Sequence, residues 1–384
     1  MTETAVKIRK ITYGDLHIGQ LLPWDVFGES GSLLARKGHL VATSQQLDSL
    51  VERGVFEDTS VDVPVIKAPP SALRIINTAL HDLQAVLDAI AARSAPADGD
   101  AAASVRLAAI AARVADAVDV SADVAVASIL HNQQAAPYSV RHCLDTAIVA
   151  YIVARAMKKT PDELATVTQA ALTMNVGMHT EHDRLQQAGA ELEAPDRALI
   201  QSHPYAGAVL LREAGIADDD WLACVRGHHE NVDGSGYPAR KMGSELSEAT
   251  RVLALADRYC ARVVQRAYRK PMLPNAALRD ILLEAKQSVD GQMAAVLIRE
   301  LGIYPVGTYV RLLNGEVGVV ARKGLQSTAP WVESMIGPRG APLDVFLQRD
   351  TRADLSGIRE VLSAEQANAP FRMEQVWGRA ASLS

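Results

Sequence analysis

His228-His229-Glu230-Asn231-Val232-Asp233-Gly234-Ser235-Gly236-Tyr237-Pro238 is the stretch on which the reading of this 384-residue chain turns. Two adjacent imidazoles can serve one metal ion with little backbone ordering, because neutral imidazole is the commonest side-chain ligand. Glu230 and Asp233 are expected to orient those rings by accepting their second N–H. Gly234 and Gly236 open backbone angles closed to other residues, and Pro238 biases Tyr237 to an extended form. The segment therefore reads as a helix end that carries ligands and runs into a rigid turn. A bare His-His pair is more often an exposed helix end or a satisfied polar cluster. Here acids, glycines and a Tyr-Pro at fixed offsets argue for more.

The full string resembles the signature of the HD-GYP family, a subset of the HD metal-dependent phosphohydrolases whose members degrade the bacterial second messenger cyclic di-GMP. The resemblance implies metal ligands drawn from separate helices of one bundle, and five positions match that pattern in order. His142 matches the first histidine, with Ser139 and Asp145 each one turn away. His203, followed by Pro204 and by Gly207, matches the next; His228 and His229 match the doublet; Asp257 matches the acid that closes the site. Each alone could be structural, but their joint order makes coincidence a poor explanation. Downstream, Arg266-Ala267-Tyr268-Arg269-Lys270 resembles the family's RxYRK segment. Arg266 and Arg269 share a face if helical and can fork onto substrate phosphate; the alternative is a solvated basic helix end.

The departure lies at Met174-Asn175-Val176-Gly177-Met178. The family pattern there is HDxGK, whose Asp bridges two metals, whose His is a terminal ligand and whose Lys meets phosphate. Met174 brings a soft thioether, Asn175 keeps the shape of Asp without its charge, and Met178 replaces the Lys. Two dications sharing a site would then repel with less compensation, so the second should bind poorly. Tyr138 stands where some members place an acid one turn before the first His, which argues against a third metal. His179 and His182 are the nearby ligand types from which a metal site could be rebuilt.

Bulk properties are those of an ordinary soluble globular chain. Hydrophobic residues make up 48%, charged residues 22% and aromatics 4%, so the core should be aliphatic helix packing. The net charge of −6 argues against DNA as a partner but not against a small anionic nucleotide. Three scattered cysteines (Cys143, Cys224, Cys260) suit a reducing cytosol. No signal peptide is visible and no apolar run reaches the ~18–20 residues of a membrane span, so a cytoplasmic protein is expected.

The expected fold is mainly α: an HD-type multi-helix bundle with a small β-rich N-terminal module and a short β-containing C-terminal extension. The domains expected are 1–60 (small α+β module), 61–128 (linker and helical pair), 129–315 (HD-GYP-like helical domain) and 316–384 (strands and tail). Strand character is expected over Leu16–Leu22 and in Val26–Leu34, and a helix from Ser44. Helices are expected over 71–92 and 103–118; such Ala-rich pairs are most often structural or dimer-forming. Thr160-Pro161-Asp162-Glu163 is a helix start with a capping box. Thr180–Glu193 reads as loop, Tyr309–Leu312 and Val317–Val320 as strands, and Asp354–Glu365 as helical.

Together these features imply a degenerate HD-GYP protein of cyclic di-GMP signalling, impaired or inactive as a phosphodiesterase, acting through nucleotide binding or protein interaction. The alternative is an active metal-dependent phosphodiesterase with a rebuilt site. The cofactor expected is a divalent metal, iron or manganese, with one or none bound. The partners expected are cyclic di-GMP or a related cyclic dinucleotide, signalling proteins such as diguanylate cyclases, and a second copy of the chain.

Overall fold

The computed structural model describes residues 8–13, 15–28, 31–57, 70–94, 101–187, 192–265, 270–285 and 287–383. The chain divides into two compact units, Met1–Ala68 and Pro69–Ser384. In the first, strands β1 (Ile8–Lys10), β2 (Val26–Gly28) and β3 (Leu33–Ala35), helix α1 (Ser44–Arg53) and strand β4 (Gly54–Glu57) follow in sequence. The strands form an antiparallel sheet in the order β1-β4-β2-β3. Thr43 caps α1, its hydroxyl accepting from the Gln46 N–H at 3.3 Å. Leu16–Leu22 is not the expected strand. Gly19 turns the chain at φ +88°, leaving one isolated bridge from Leu21 to Leu40. Most of the expected linker, 61–70, lies outside the described residues.

The second unit is helical. Its helices are α2 (Ala72–Ala91), α3 (Ala103–His131), α4 (Tyr138–Ala156), α5 (Pro161–Thr173), α6 (His179–Gln187), α7 (Ala194–Glu213), α8 (Asp219–Gly227), α9 (Glu248–Val263), α10 (Pro274–Glu284) and α11 (Gly291–Leu301). α3 is interrupted at Ser121, where φ −164° and ψ 101° leave the helical region and the hydroxyl caps Val124. The sequence pattern ends near Val118 for that reason. The α5 capping box forms as expected: Thr160 Oγ1 accepts from Glu163 N, and Glu163 accepts from Thr160 N.

α4 is the axle. All but one of residues 138–154 are buried, and it packs against α2, α3, α5, α6, α9 and α11. A helix buried all round has no face on which to place charge, so its Arg141, His142 and Asp145 mark a built polar interior. Thr180–Gln187 is helical rather than loop. Asp183 on α6 accepts from Ser139 N at 2.9 Å and Ser139 Oγ at 2.8 Å, capping α4 from a distance of 44 residues. Local polarity suggested a loop; the tertiary cap makes a helix of it.

The chain then forms β5 (Tyr309–Leu312), β6 (Val317–Arg322), β7 (Trp331–Ile336), β8 (Pro342–Asp350) and β9 (Ile358–Leu362), followed by the short helices α12 (Ala364–Ala367) and α13 (Met373–Trp377). The sheet is antiparallel in the order β8-β7-β6-β5-β9. The helix expected over Asp354–Glu365 is therefore wrong: Ile358–Leu362 pairs with β5 instead. No helix among the described residues is long and apolar enough to cross a membrane.

The 3-10 turn Val176–Met178 packs directly on α7. A Cβ on Gly177 would land on the main-chain oxygen of His203 and 2.5 Å from the amide nitrogen of Gly207. Gly177→Ala is accordingly expected to cost about 2 kcal/mol as overpacking between two backbones. Chemical denaturation of the variant reads it as a lowered midpoint with little change in slope.

Candidate metal centre

α7 and the end of α8 bring three imidazoles together. His203 and His228 are buried, and one ring nitrogen from each of His203, His228 and His229 lies within 4.8 Å of the others. His203 Nδ1 is 2.7 Å from the Ile200 carbonyl oxygen, and His228 Nδ1 is 2.7 Å from that of Val225. A carbonyl oxygen only accepts, so both Nδ1 atoms donate and both Nε2 atoms present lone pairs. Those Nε2 atoms face each other at 3.2 Å. Two lone pairs repel; a cation between them converts the contact into binding. Nitrogens that share one ion at ~2.0–2.1 Å lie roughly 3 Å apart, so the donor set fits a single metal.

The electrostatics keep the rings in the ligating form. Burial and the neighbouring His228 push His203 down to about 3. Burial likewise lowers His228, and burial with His228 holds His229 well below its ordinary value. Neutral imidazole is the state that binds metal.

The other half of the cavity is different. Burial alone would raise the Asp257 carboxyl, but the hydrogen bond and charge of His142, helped by His229 and His228, hold it far below the usual carboxylate range. His142 Nε2 lies 2.8 Å from Asp257 Oδ1, and His229 Nδ1 lies 3.6 Å from Asp257 Oδ2. The two expected ligands thus bind each other. Asn175 lines the cavity with its Oδ1 buried and, among the described residues, unpartnered; the same holds for His142 Nδ1. Met178 lines the cavity too, whereas Met174 is fully buried in the aliphatic core and does not. Tyr138 stacks on His142 with centroids 5.2 Å apart, and His182 meets both rings edge-on at 5.0 and 6.0 Å. His179 turns away, its Nε2 2.8 Å from Asp88 Oδ1 on α2. The cavity holds about 250 Å³. Asp145 is buried behind it, its carboxyl pushed up to about 8 by burial against a partial offset from Arg141.

The turn after the histidines is built differently from expectation. Glu230 does not orient the rings. Its oxygens accept from Ala239 N at 2.7 Å and Lys241 N at 3.1 Å, and so clamp the turn shut. Asp233 accepts from Ser235 N and Oγ at 3.0 and 2.6 Å. The ring-orienting work falls to the carbonyls of Ile200 and Val225, which no side-chain pattern announces. Gly234 takes φ +77°. Gly236 is required for a different reason: a Cβ there would stand 2.5 Å from Asn231 N, Glu230 Cα and His229 O. Tyr237 stacks on His229 at 4.7 Å, with Pro238 following through a cis peptide. Arg266 and Arg269 lie outside the described residues.

The HD domain family profile matches residues 86–293. A cyclic di-GMP phosphodiesterase of Pseudomonas aeruginosa is 28% identical over 215 residues, covering 54% of this chain and 52% of its own length. A 3'3'-cGAMP-specific phosphodiesterase of Vibrio cholerae is 26% identical over 171 residues, covering 44% of this chain and 36% of its own. The chain thus spans about half the length, or less, of these curated relatives. A solved HDG"Y"P protein of Bdellovibrio bacteriovorus aligns over 76% of this chain and 98% of its own at 14% identity, with a TM-score of 0.49.

Two expectations follow from the geometry. The folded value of His203, about 3, lies below the ordinary 6.5, so between them the unfolded chain binds more protons. Stability of the metal-free protein should therefore fall as pH drops below about 6.5, before the depressed carboxyl of Asp257 adds its own loss at lower pH. Melting scans in EDTA at descending pH check this, and added divalent metal should raise the melting temperature by mass action. Separately, Glu230→Ala should cost about 2–3 kcal/mol by stranding two turn N–H groups, measured by denaturation.

Proposed function

Because this chain belongs to the HD domain family, whose matched region contains every candidate ligand from His142 to Asp257, we propose that it is a degenerate HD-GYP-type member of cyclic di-GMP signalling. It binds a cyclic dinucleotide and at most one divalent ion, and it is impaired as a phosphodiesterase. One observation carries this reading: the cavity lined by His229, His142 and Asp257 presents the neutral, unpartnered Asn175 Oδ1 where a two-metal site needs a bridging carboxylate.

His203, His228 and His229 are the residues that would hold the ion. When bound, it supplies a Lewis acid that polarises a phosphoryl oxygen. Three nitrogen donors without a bridging carboxylate weight the expected iron or manganese toward iron. The chain's own residues do the rest. Main-chain carbonyls hold the rings in one tautomer, Tyr237 walls the cavity against His229, and Asp257 anchors His142 beside it. A two-metal hydrolase needs a bridging anion to keep two dications close and to activate the water between them. Asn175 offers none. Arg266 and Arg269 remain the proposed phosphate contacts, and signalling proteins such as diguanylate cyclases the proposed alternative partners. His182, which lines the same cavity, favours the competing reading of a rebuilt, active centre.

Metal content measured by mass spectrometry, with cyclic di-GMP calorimetry and a hydrolysis assay in Mn²⁺ or Fe²⁺, tests the proposal. One ion or fewer per chain, binding without turnover, is the expected result. Asn175→Asp should add a second equivalent of metal and raise hydrolysis by roughly 10²-fold. Two ions in the unaltered protein, with turnover abolished by His228→Ala, would overturn it.

A further inference from the structure

The wall that carries the histidines has a second side. On a helix, residues two apart point about 200° apart. Tyr205 therefore faces away from His203 on α7, and Arg226 away from His228 at the end of α8. Both side chains open onto a hollow of about 380 Å³ behind the turn, bordered also by Pro238, Lys241, Leu246 and Ser247. The same two residues continue into an adjoining hollow of about 220 Å³ between α7 and α8.

We propose that this hollow is a second binding site, for a nucleoside phosphate, and that its occupancy is felt by the histidine cluster. Tyr205 is 63% exposed, an aromatic platform for a base with nothing of the protein lying over most of it. Arg226 and Lys241 are exposed and, among the described residues, have no ion-pair partner. Two such cations in one concavity offer charge-assisted contacts to a phosphate, set against two carboxylates of the same lining, Glu230 and Glu245. The acids at its border are engaged: Glu230 clamps two turn N–H groups, and Glu245 accepts from Met242 N at 2.9 Å. The N-terminus of the 16-residue α9, capped by Ser247, adds favourable dipole for phosphate. The volume lies within the range of small-ligand pockets. Coupling follows from chain order. Gly227 and Glu230 line the outer hollow, while the two residues between them, His228 and His229, belong to the metal centre.

Binding in this hollow is independent of the metal centre; the coupling rests on the reading of His203, His228 and His229 as metal ligands. The test is calorimetry of the full chain with GMP, with and without EDTA, on the unaltered protein and on Tyr205→Ala, the double variant Arg226→Ala/Lys241→Ala, and His229→Ala. All the outer substitutions are at exposed positions and should fold. Expected is GMP binding that survives EDTA and His229→Ala. It should weaken roughly tenfold in Tyr205→Ala, where stacking is lost, and at least as much in the double variant. Saturating GMP should also shift Mn²⁺ affinity in the unaltered protein and not in the double variant. GMP binding that is absent at millimolar concentration overturns the site. So does binding abolished by His229→Ala yet untouched by the outer variants. Binding without any shift in metal affinity overturns the coupling.

Discussion

Two lone pairs held 3.2 Å apart are the constraint around which this molecule is built. His203 and His228 each spend their one ring proton on a main-chain carbonyl, so neither can satisfy the other. Such a contact persists only if both helices are rigidly placed and if something positive compensates it. The placement is visible. Gly177 lets the 3-10 turn close on α7 at His203, and Trp221 on α8 donates to Thr173 of α5 at 2.8 Å. Glu230 then fixes the chain leaving His229.

Beside this constraint the cavity carries one carboxylate, Asp257, among its described lining residues. Asn175 lines it with an amide and Met178 with a thioether, and Tyr138 stacks on His142. His142 Nε2 lies 2.8 Å from Asp257 Oδ1, and the other oxygen of that carboxylate points toward His229. Steric complementarity and electrostatic competence are separable properties of a site. A binding pocket can survive changes that disable in-line displacement, because recognition needs shape and hydrogen bonds, while catalysis needs charge at the reacting atoms.

Helix periodicity links this centre to the opposite surface. Tyr205 and Arg226 stand two residues from His203 and His228 on the same backbones, so a backbone shift at one is shared by the other. A thin wall with functional groups on both faces is a short route for coupling, since no intervening layer can absorb the displacement. The buried, double hydrogen-bonded carboxylate of Glu230 stiffens that wall further.

The sequence by itself determined the family, the helical class, the α5 capping box and the order of the histidines. These are statements of residue type and spacing, which local chemistry makes legible. It ended α3 near Val118, just before Ser121 leaves the helical region, and missed the continuation to His131. It misjudged α6, Leu16–Leu22 and Ile358–Leu362, whose conformations depend on a distant cap, a glycine turn and a neighbouring strand. Only the tertiary structure decided that Glu230 clamps the turn rather than the rings, that His182 enters the cavity while His179 binds Asp88, and that His142 and Asp257 close on each other. The reason is physical: a side chain's partner is set by which backbones approach it, and in a bundle those backbones come from far along the chain.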